Sequence, residues 1–286
     1  MKYATYRVED SVSFGIVTDG GLVDLGSRLG PDVATLKDLI ASGFAGVEPY
    51  LDSTPDFALA DVTLLPPIPD AGAMWCAGIN THSHFAEAAE RMGIKELPEY
   101  PMFFLRANNT LVGSGSPVEK PRLEPHFDYE GEIAVIIGKR CRNVSVEDAP
   151  GHIAGYSCFN DGSARQYQIR GYQVTTGKNA YHSAGFGPWM VTADELPAED
   201  LVLQTRVNGE VRQDMTIDDL IFSFAELISH ISEVTWLEPG DVLVTGSAEG
   251  AGALRKPPTF LGEGDLVEVE VNGIGTLSNV VREQRL

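Results

Sequence analysis

Two carboxylates two residues apart open an apolar run in this chain. Phe127 to Gly138 reads Phe-Asp-Tyr-Glu-Gly-Glu-Ile-Ala-Val-Ile-Ile-Gly. Side chains alternate across a strand, so Glu130 and Glu132 share a face with Ala134 and Ile136. That face reads as interior, where two like charges repel and resist desolvation unless a cation or a proton lies between them. A divalent metal resolves the conflict. A strand whose first half emerges into solvent, with both glutamates hydrated, resolves it too. Asp161 ends the strand-like run Ile153 to Phe159 and its Asn160, and can supply a third carboxylate. The result would be an oxygen-rich site of the kind that suits magnesium or manganese. Asp161 can equally cap the helix that follows it.

Acid–base chemistry has its own candidates. In Asn80-Thr81-His82-Ser83-His84-Phe85-Ala86-Glu87, His84 and Glu87 are three apart, so on a helix they touch on one face. A carboxylate and an imidazole in contact can share a proton near neutral pH and activate a water. The alternative is a solvated Glu87–Arg91 pair with His84 incidental. His82 and His84, two apart on a helix, cannot chelate one metal together. Arg106 and Lys178 are basic residues to follow, because an anionic substrate needs local positive charge; a lone lysine in such a place is otherwise exposed.

These residues need elements to position them. Asn80 suits the N-cap and Gly93 the C-terminal stop of a helix striped by Phe85, Ala88, Ala89 and Met92. Pro101 to Val112 reads as a buried strand entering a polar loop. Leu220 to Val234 reads as a helix with Leu220, Phe224, Leu227, Ile228 and Ile231 on one stripe. Residues 1 to about 62 alternate short strands (Tyr3 to Val8, Ser13 to Val17, Gly21 to Asp24) with turns and one helix, Leu36 to Ala41. Leu64-Leu65-Pro66-Pro67-Ile68-Pro69 forbids helix and breaks pairing, marking a boundary between a small domain, 1–68, and a larger one, 69–286.

Composition narrows the partners. The chain has 286 residues, 43% hydrophobic, with 21 Lys plus Arg against 41 Asp plus Glu and a formal charge of −20. Such a field repels phosphate backbones and anionic membranes, so nucleic acid and membrane partners are not expected. Cys76, Cys141 and Cys158 are odd in number and scattered, which suggests neither a disulfide framework nor a zinc site. No apolar signal core or membrane-length segment is evident, and the expected location is cytoplasmic.

Taken together, several segments resemble the fumarylacetoacetate hydrolase family, specifically its short bacterial acylpyruvate hydrolase or fumarylpyruvate hydrolase-like branch. They are Gly78-x-Asn80-x-x-x-His84-x-x-Glu87, Asp128-Tyr129-Glu130-Gly131-Glu132, Asn160-Asp161-x-Ser163-Ala164-Arg165-x-x-Gln168, Gly177-Lys178, Gly187-Pro188-Trp189, Asn208-Gly209-Glu210-Val211-x-Gln213 and Leu237-Glu238-Pro239-Gly240-Asp241 through Thr245-Gly246. Phe260-Leu261-x-x-Gly264-Asp265 completes the set, and the likeness spans about 72–283.

The resemblance implies an α+β, mainly β fold: a rolled mixed β-sandwich with a small N-terminal domain, usually assembled as a homodimer. It implies Glu130, Glu132 and Asp161 as ligands of Mg2+ or Mn2+, and His84, Glu87 and Lys178 as catalytic. Arg106, Arg165, Gln168, Thr245 and Ser247 fall at substrate-binding positions. The implied activity is metal-dependent hydrolysis of a C–C bond in a 2,4-dioxo acid, as in the breakdown of aromatic compounds, with pyruvate released. Glu87 and His84 would deprotonate the attacking water, and metal and Lys178 would stabilise the charge left on the pyruvate fragment. Oxaloacetate decarboxylation, or isomerisation or hydration of a related dioic acid, could use the same centre. A ligand-binding relative without chemistry predicts a damaged constellation, which is not seen. Departures from the family pattern are Gln166 where an acid is common, Arg106 for Lys, Ser247-Ala248 for Thr-Pro, and Asn179 to His182. They are expected around the distal acyl group.

Overall fold

A computed structural model of the chain describes residues 1–92, 96–171 and 173–285, with side chains in the His82–Met92 helix described as far as Ala89. The anticipated helix stop at Gly93 lies outside the described residues, as do the side chains of the partner Arg91 and the stripe residue Met92.

The fold is mainly β, as expected. Its large mixed sheet runs in the order Gly21–Asp24, Ser11–Thr18, Lys2–Val8, Ala184–Thr192, Ile153–Asn160, Gly131–Ile137, Val242–Val244, Met74–Gly78 and Met102–Leu105. A second sheet of five strands has the order Glu210–Thr216, Val202–Val207, Leu266–Val271, Gly275–Glu283 and Val118–Lys120. The apolar alternation read from the sequence decides how they stack. On the Gly131–Ile137 strand, Ile133, Val135 and Ile137 point between the sheets, where they meet Leu203, Val269, Val271 and Leu277. Ala134 and Ile136 point the other way, into a cluster with Tyr3, Phe14, Leu36, Leu39 and Ile40. The N-terminal strands therefore extend the large sheet, and the Leu36–Ala41 helix, held by a Thr35–Asp38 capping box, helps cover its outer face.

Three local expectations are corrected. Met102–Leu105 is the edge of the large sheet, paired on one side with Met74–Gly78, so Met102 and Leu105 are exposed rather than buried. The late helix spans Phe224–Val234, because Ser223 and Glu226 form a capping box there; Leu220 is buried ahead of it. In the His82–Met92 helix Thr81, not Asn80, caps the first turn, accepting from the His84 N–H at 3.2 Å. Asn80 is committed to long-range bonds with Phe222 and the Thr245 carbonyl. All three cysteines are free and buried. Among the described residues no helix is long and apolar enough to cross a membrane.

Candidate active site

Antiparallel pairing brings the acidic groups together. Gly131 is opposite Asn160, so the residues just outside that pair, Glu130 and Asp161, become neighbours, with the Asp161 N–H donating to the Glu130 carbonyl at 2.7 Å. Glu132 lies on the same face as Glu130. Oxygens of the three carboxylates all fall within 4.8 Å of one another, and all three residues are buried. The glycine between the glutamates is dictated by packing: a Cβ at Gly131 would stand 1.9 Å from Thr205 Oγ1 of the second sheet. Of the two readings of Glu-x-Glu, the interior one holds.

Three cations crowd this acidic cluster. Lys178, from the one-turn helix Thr175–Lys178, contacts Glu130 Oε2 and sits 2.5 Å from Asp161 Oδ2. Arg165 reaches Glu130 Oε1 and Asp128 Oδ2, both at 2.8 Å. Arg106 pairs with Asp161 Oδ1 and also bonds Gly162 O and Ser183 Oγ, with its side chain wholly inside. The pKa shifts follow this distribution. Burial alone would raise Glu130, but Arg165 and Lys178 outweigh it and hold the carboxyl well below its usual range. Burial would lower Lys178, yet Asp161 and Glu130 raise it, so it stays an ammonium. Glu132 has no ion pair among the described residues and accepts a backbone N–H from Gly246 at 2.5 Å. Burial, then Asp161 and Glu130, push it well above the usual range.

Glu132 is thus a buried carboxylate with two acidic neighbours and no side-chain cation of its own. With Asp128, four carboxylates face three side-chain cations. A divalent metal ion fits this donor set: three mutually close acidic oxygens suit Mg2+ or Mn2+, and the added charge turns a net-negative pocket into one that receives an anion.

His84 and Glu87 enter from the neighbouring helix. Its first turn is fastened from outside, with Ser83 bonded to Asp219 through both its N–H and its hydroxyl. Glu87 Oε2 accepts the Gly250 N–H at 3.1 Å and stands 3.9 Å from His84 Nδ1, a buried atom without a hydrogen-bond partner. One loop joins this pair to the carboxylates, because the Gly246 N–H donates to Glu132 and the Gly250 N–H to Glu87.

Five residues were expected at substrate positions. Gln168 accepts from Arg165 at 3.0 Å, and Ser247 Oγ accepts from Gln213 at 2.7 Å. The Thr245 hydroxyl is bonded to Ile133 O, while Arg106 and Arg165 brace the carboxylates. Arg106 and Asn179 lie on the Asp161 side, where Asn179 ties down Leu105 and Ala107; Ser247 lies on the Gly250 side with Gln213. Sequence reading passed over Asp128, which accepts from the Tyr129, Gly252 and Ala253 N–H groups and from Arg165. It passed over Gln213 as well, which joins the Gly131 N–H to Ser247 and Ala248. Both lie within motifs legible in the chain, yet neither has a spacing that singles it out as a ligand or a base. Asp219 carried no local signal.

Residues 73–282 match the family described as Fumarylacetoacetate (FAA) hydrolase C-terminal. The chain is 38% identical over 228 residues to the oxaloacetate tautomerase YisK of Bacillus subtilis, covering 79% of this chain and 75% of that protein. It is 33% identical over 291 residues to the 2,4-didehydro-3-deoxy-L-rhamnonate hydrolase of a Sphingomonas species, covering 100% and 97%. The structure of maleylpyruvate hydrolase from Sphingobium sp. SYK-6 in complex with manganese(II) ion and pyruvate superposes with a TM-score of 0.82 at 27% identity, over 100% of both chains.

Proposed function

This chain belongs to the fumarylacetoacetate hydrolase family, and from that premise we propose that it hydrolyses a C–C bond in an acylpyruvate such as fumarylpyruvate or maleylpyruvate, releasing pyruvate and a carboxylic acid. The observation that carries this reading is the His84–Glu87 pair set against a buried three-carboxylate centre. A proton acceptor beside a site for the keto-acid head is what water attack on such a substrate requires.

Glu130, Glu132 and Asp161 would hold the metal, which when bound supplies Lewis acidity and orientation for the keto-acid oxygens. Glu87, steadied by the Gly250 N–H, takes a proton from water as its oxygen adds to the 4-carbonyl carbon. His84, on the same face, holds or passes on that proton. The C3–C4 bond breaks, its electron pair goes to the three-carbon fragment, and a proton returned to C3 completes pyruvate. Lys178, fixed by Glu130 and Asp161, faces the negative charge that develops on that fragment.

A second reading, tautomerisation or decarboxylation of oxaloacetate, is favoured by the identity to the Bacillus relative, and needs no water attack. Pyruvate release from acetylpyruvate, fumarylpyruvate, maleylpyruvate and oxaloacetate, each with Mn2+ and again with chelator, beside the loss of enol-oxaloacetate absorbance, separates the two. Chelator-sensitive hydrolysis of an acylpyruvate well above oxaloacetate turnover supports the hydrolase; enol–keto conversion of oxaloacetate without acylpyruvate cleavage overturns it.

A further inference from the structure

Arg212 holds an irregular place in the smaller sheet. Thr205 pairs with Gln213 and Arg206 with Val211, so Arg212 is the extra residue of a β-bulge. Bulges take a side chain out of the regular alternation and recur beside active sites. The Arg212 carbonyl presses on Gly250, where a Cβ would stand 2.1 Å away, and Gly250 is the residue whose N–H holds Glu87. Arg212 Nε is buried with no hydrogen-bond partner, a costly state for a guanidinium donor. Arg255 comes to the same place from another segment. Its guanidinium lies near enough to Tyr129 to favour the ionised phenol, and the Tyr129 hydroxyl donates to the Gly250 carbonyl at 2.9 Å. Glu87, Gly250 and Tyr129 thus form one hydrogen-bonded series, with Arg255 beside its Tyr129 end. Among the described residues, Glu210 is the carboxylate in ion-pair range of both arginines, at 3.0 and 3.8 Å, with a side chain 62% exposed.

We propose that Arg212 and Arg255 receive a second anionic group, the distal carboxylate of the substrate, so that this enzyme selects dicarboxylic keto acids over those with an uncharged tail. Glu210 is the internal carboxylate that the substrate displaces. The inference rests on the keto-acid reading of the metal site and adds the class of acyl group. Position supports it: water attack at Glu87 places the acyl portion on the Gly250 side, whereas Lys178 and Arg106 attend Asp161. Electrostatics supports it as well. A chain of net charge −20 repels a doubly charged anion, and paired guanidiniums offer the local fork that carboxylates prefer.

Calorimetry on the Mn2+-loaded protein with 2-oxoadipate and 2-oxohexanoate tests this, since the two share head and length and differ in the tail carboxylate. The diacid should bind at least about tenfold more tightly, the ratio expected of one charge-assisted contact. Arg255→Gln and Arg212→Gln should bring the ratio toward one, and Glu210→Gln, an exposed change that spares the fold, should raise it. A ratio near one in the wild type, or a ratio untouched by all three changes, overturns the proposal. Diacid preference without acylpyruvate hydrolysis removes the hydrolase reading and leaves the arginine pair standing. Hydrolysis without preference does the reverse, and failure of both keto acids to bind overturns both.

Discussion

His84 Nδ1 and Glu87 Oε2 stand 3.9 Å apart on one face of a helix, aligned but beyond hydrogen-bond range. Glu87 is instead fixed by the Gly250 N–H, and the imidazole nitrogen has no partner. Catalytic hydrogen bonds of this kind commonly tighten only around substrate. The spacing leaves Glu87 anchored on one side and open on the other, which suits a base that must take a proton and later release it.

Replacing Glu87 by Gln keeps an acceptor for Gly250 and removes the base. Hydrolysis should fall by roughly 100- to 10,000-fold, the usual contribution of a positioned general base, while Mn2+ and pyruvate still bind. Steady-state kinetics beside calorimetry checks both halves. An unaltered rate would return Glu87 to the role of a loop anchor.

Glu132 is the carboxylate without a side-chain cation, so its ionised form depends on the metal more than that of Glu130 or Asp161. Glu132→Gln should weaken Mn2+ binding by at least about 100-fold, the upper range for loss of mere outer-sphere partners. Wild-type protein should also unfold at lower temperature after chelation, because a ligand of the folded state stabilises it by mass action. Metal-dependent turnover surviving in Glu132→Gln would falsify the ligand assignment.

Arg28 and Asp56 form a two-pronged pair at 2.6 and 2.8 Å in the N-terminal region, and this contact holds the Asp56 carboxyl below its ordinary value. A carboxyl with a lowered folded pKa adds stability above its unfolded value and loses it as pH falls through the folded one. Asp56→Asn should therefore cost about 0.2–1 kcal/mol at pH 7, as partly exposed pairs do, and the difference should vanish as pH falls below the lowered Asp56 value. Urea unfolding of both proteins across that range measures it; a gap independent of pH would assign the effect to something other than charge.

Local pattern carried much of the fold and the acidic centre. Period-two alternation placed Glu130 and Glu132 with Ala134 and Ile136, and the structure finds that face buried. Leu36–Ala41 was legible because its apolar spacing and its capping threonine lie within the same few residues. What escaped depends on distant partners. Asn80 looks like a cap, but its side chain bonds Phe222 and Thr245 across more than a hundred residues, leaving the cap to Thr81. Lys178 reads as an exposed lone lysine until Glu130 and Asp161 close around it. The bulge at Arg212 is a property of register with the Val202–Val207 strand, which no single segment encodes.

The Glu-Gly-Glu triplet is as much a packing solution as a chemical one. Gly131 points into the second sheet, where an added Cβ would meet Thr205 Oγ1 at 1.9 Å, Thr205 Cβ at 3.2 Å and Leu203 Cδ2 at 3.4 Å. Gly131→Ala should destabilise by about 1–3 kcal/mol, the range for overpacking a tight interior, and loosen Mn2+ binding because both flanking ligands shift with the strand. The Thr205 hydroxyl is buried and makes no hydrogen bond, so deleting it gives up little. Thr205→Ala combined with Gly131→Ala should then recover a good part of the loss, more than the sum of the separate changes allows. A double-mutant cycle read by urea unfolding and Mn2+ titration decides it. Strict additivity would mean that the strand yields elsewhere and that the glycine answers to backbone freedom rather than to the sheet it faces.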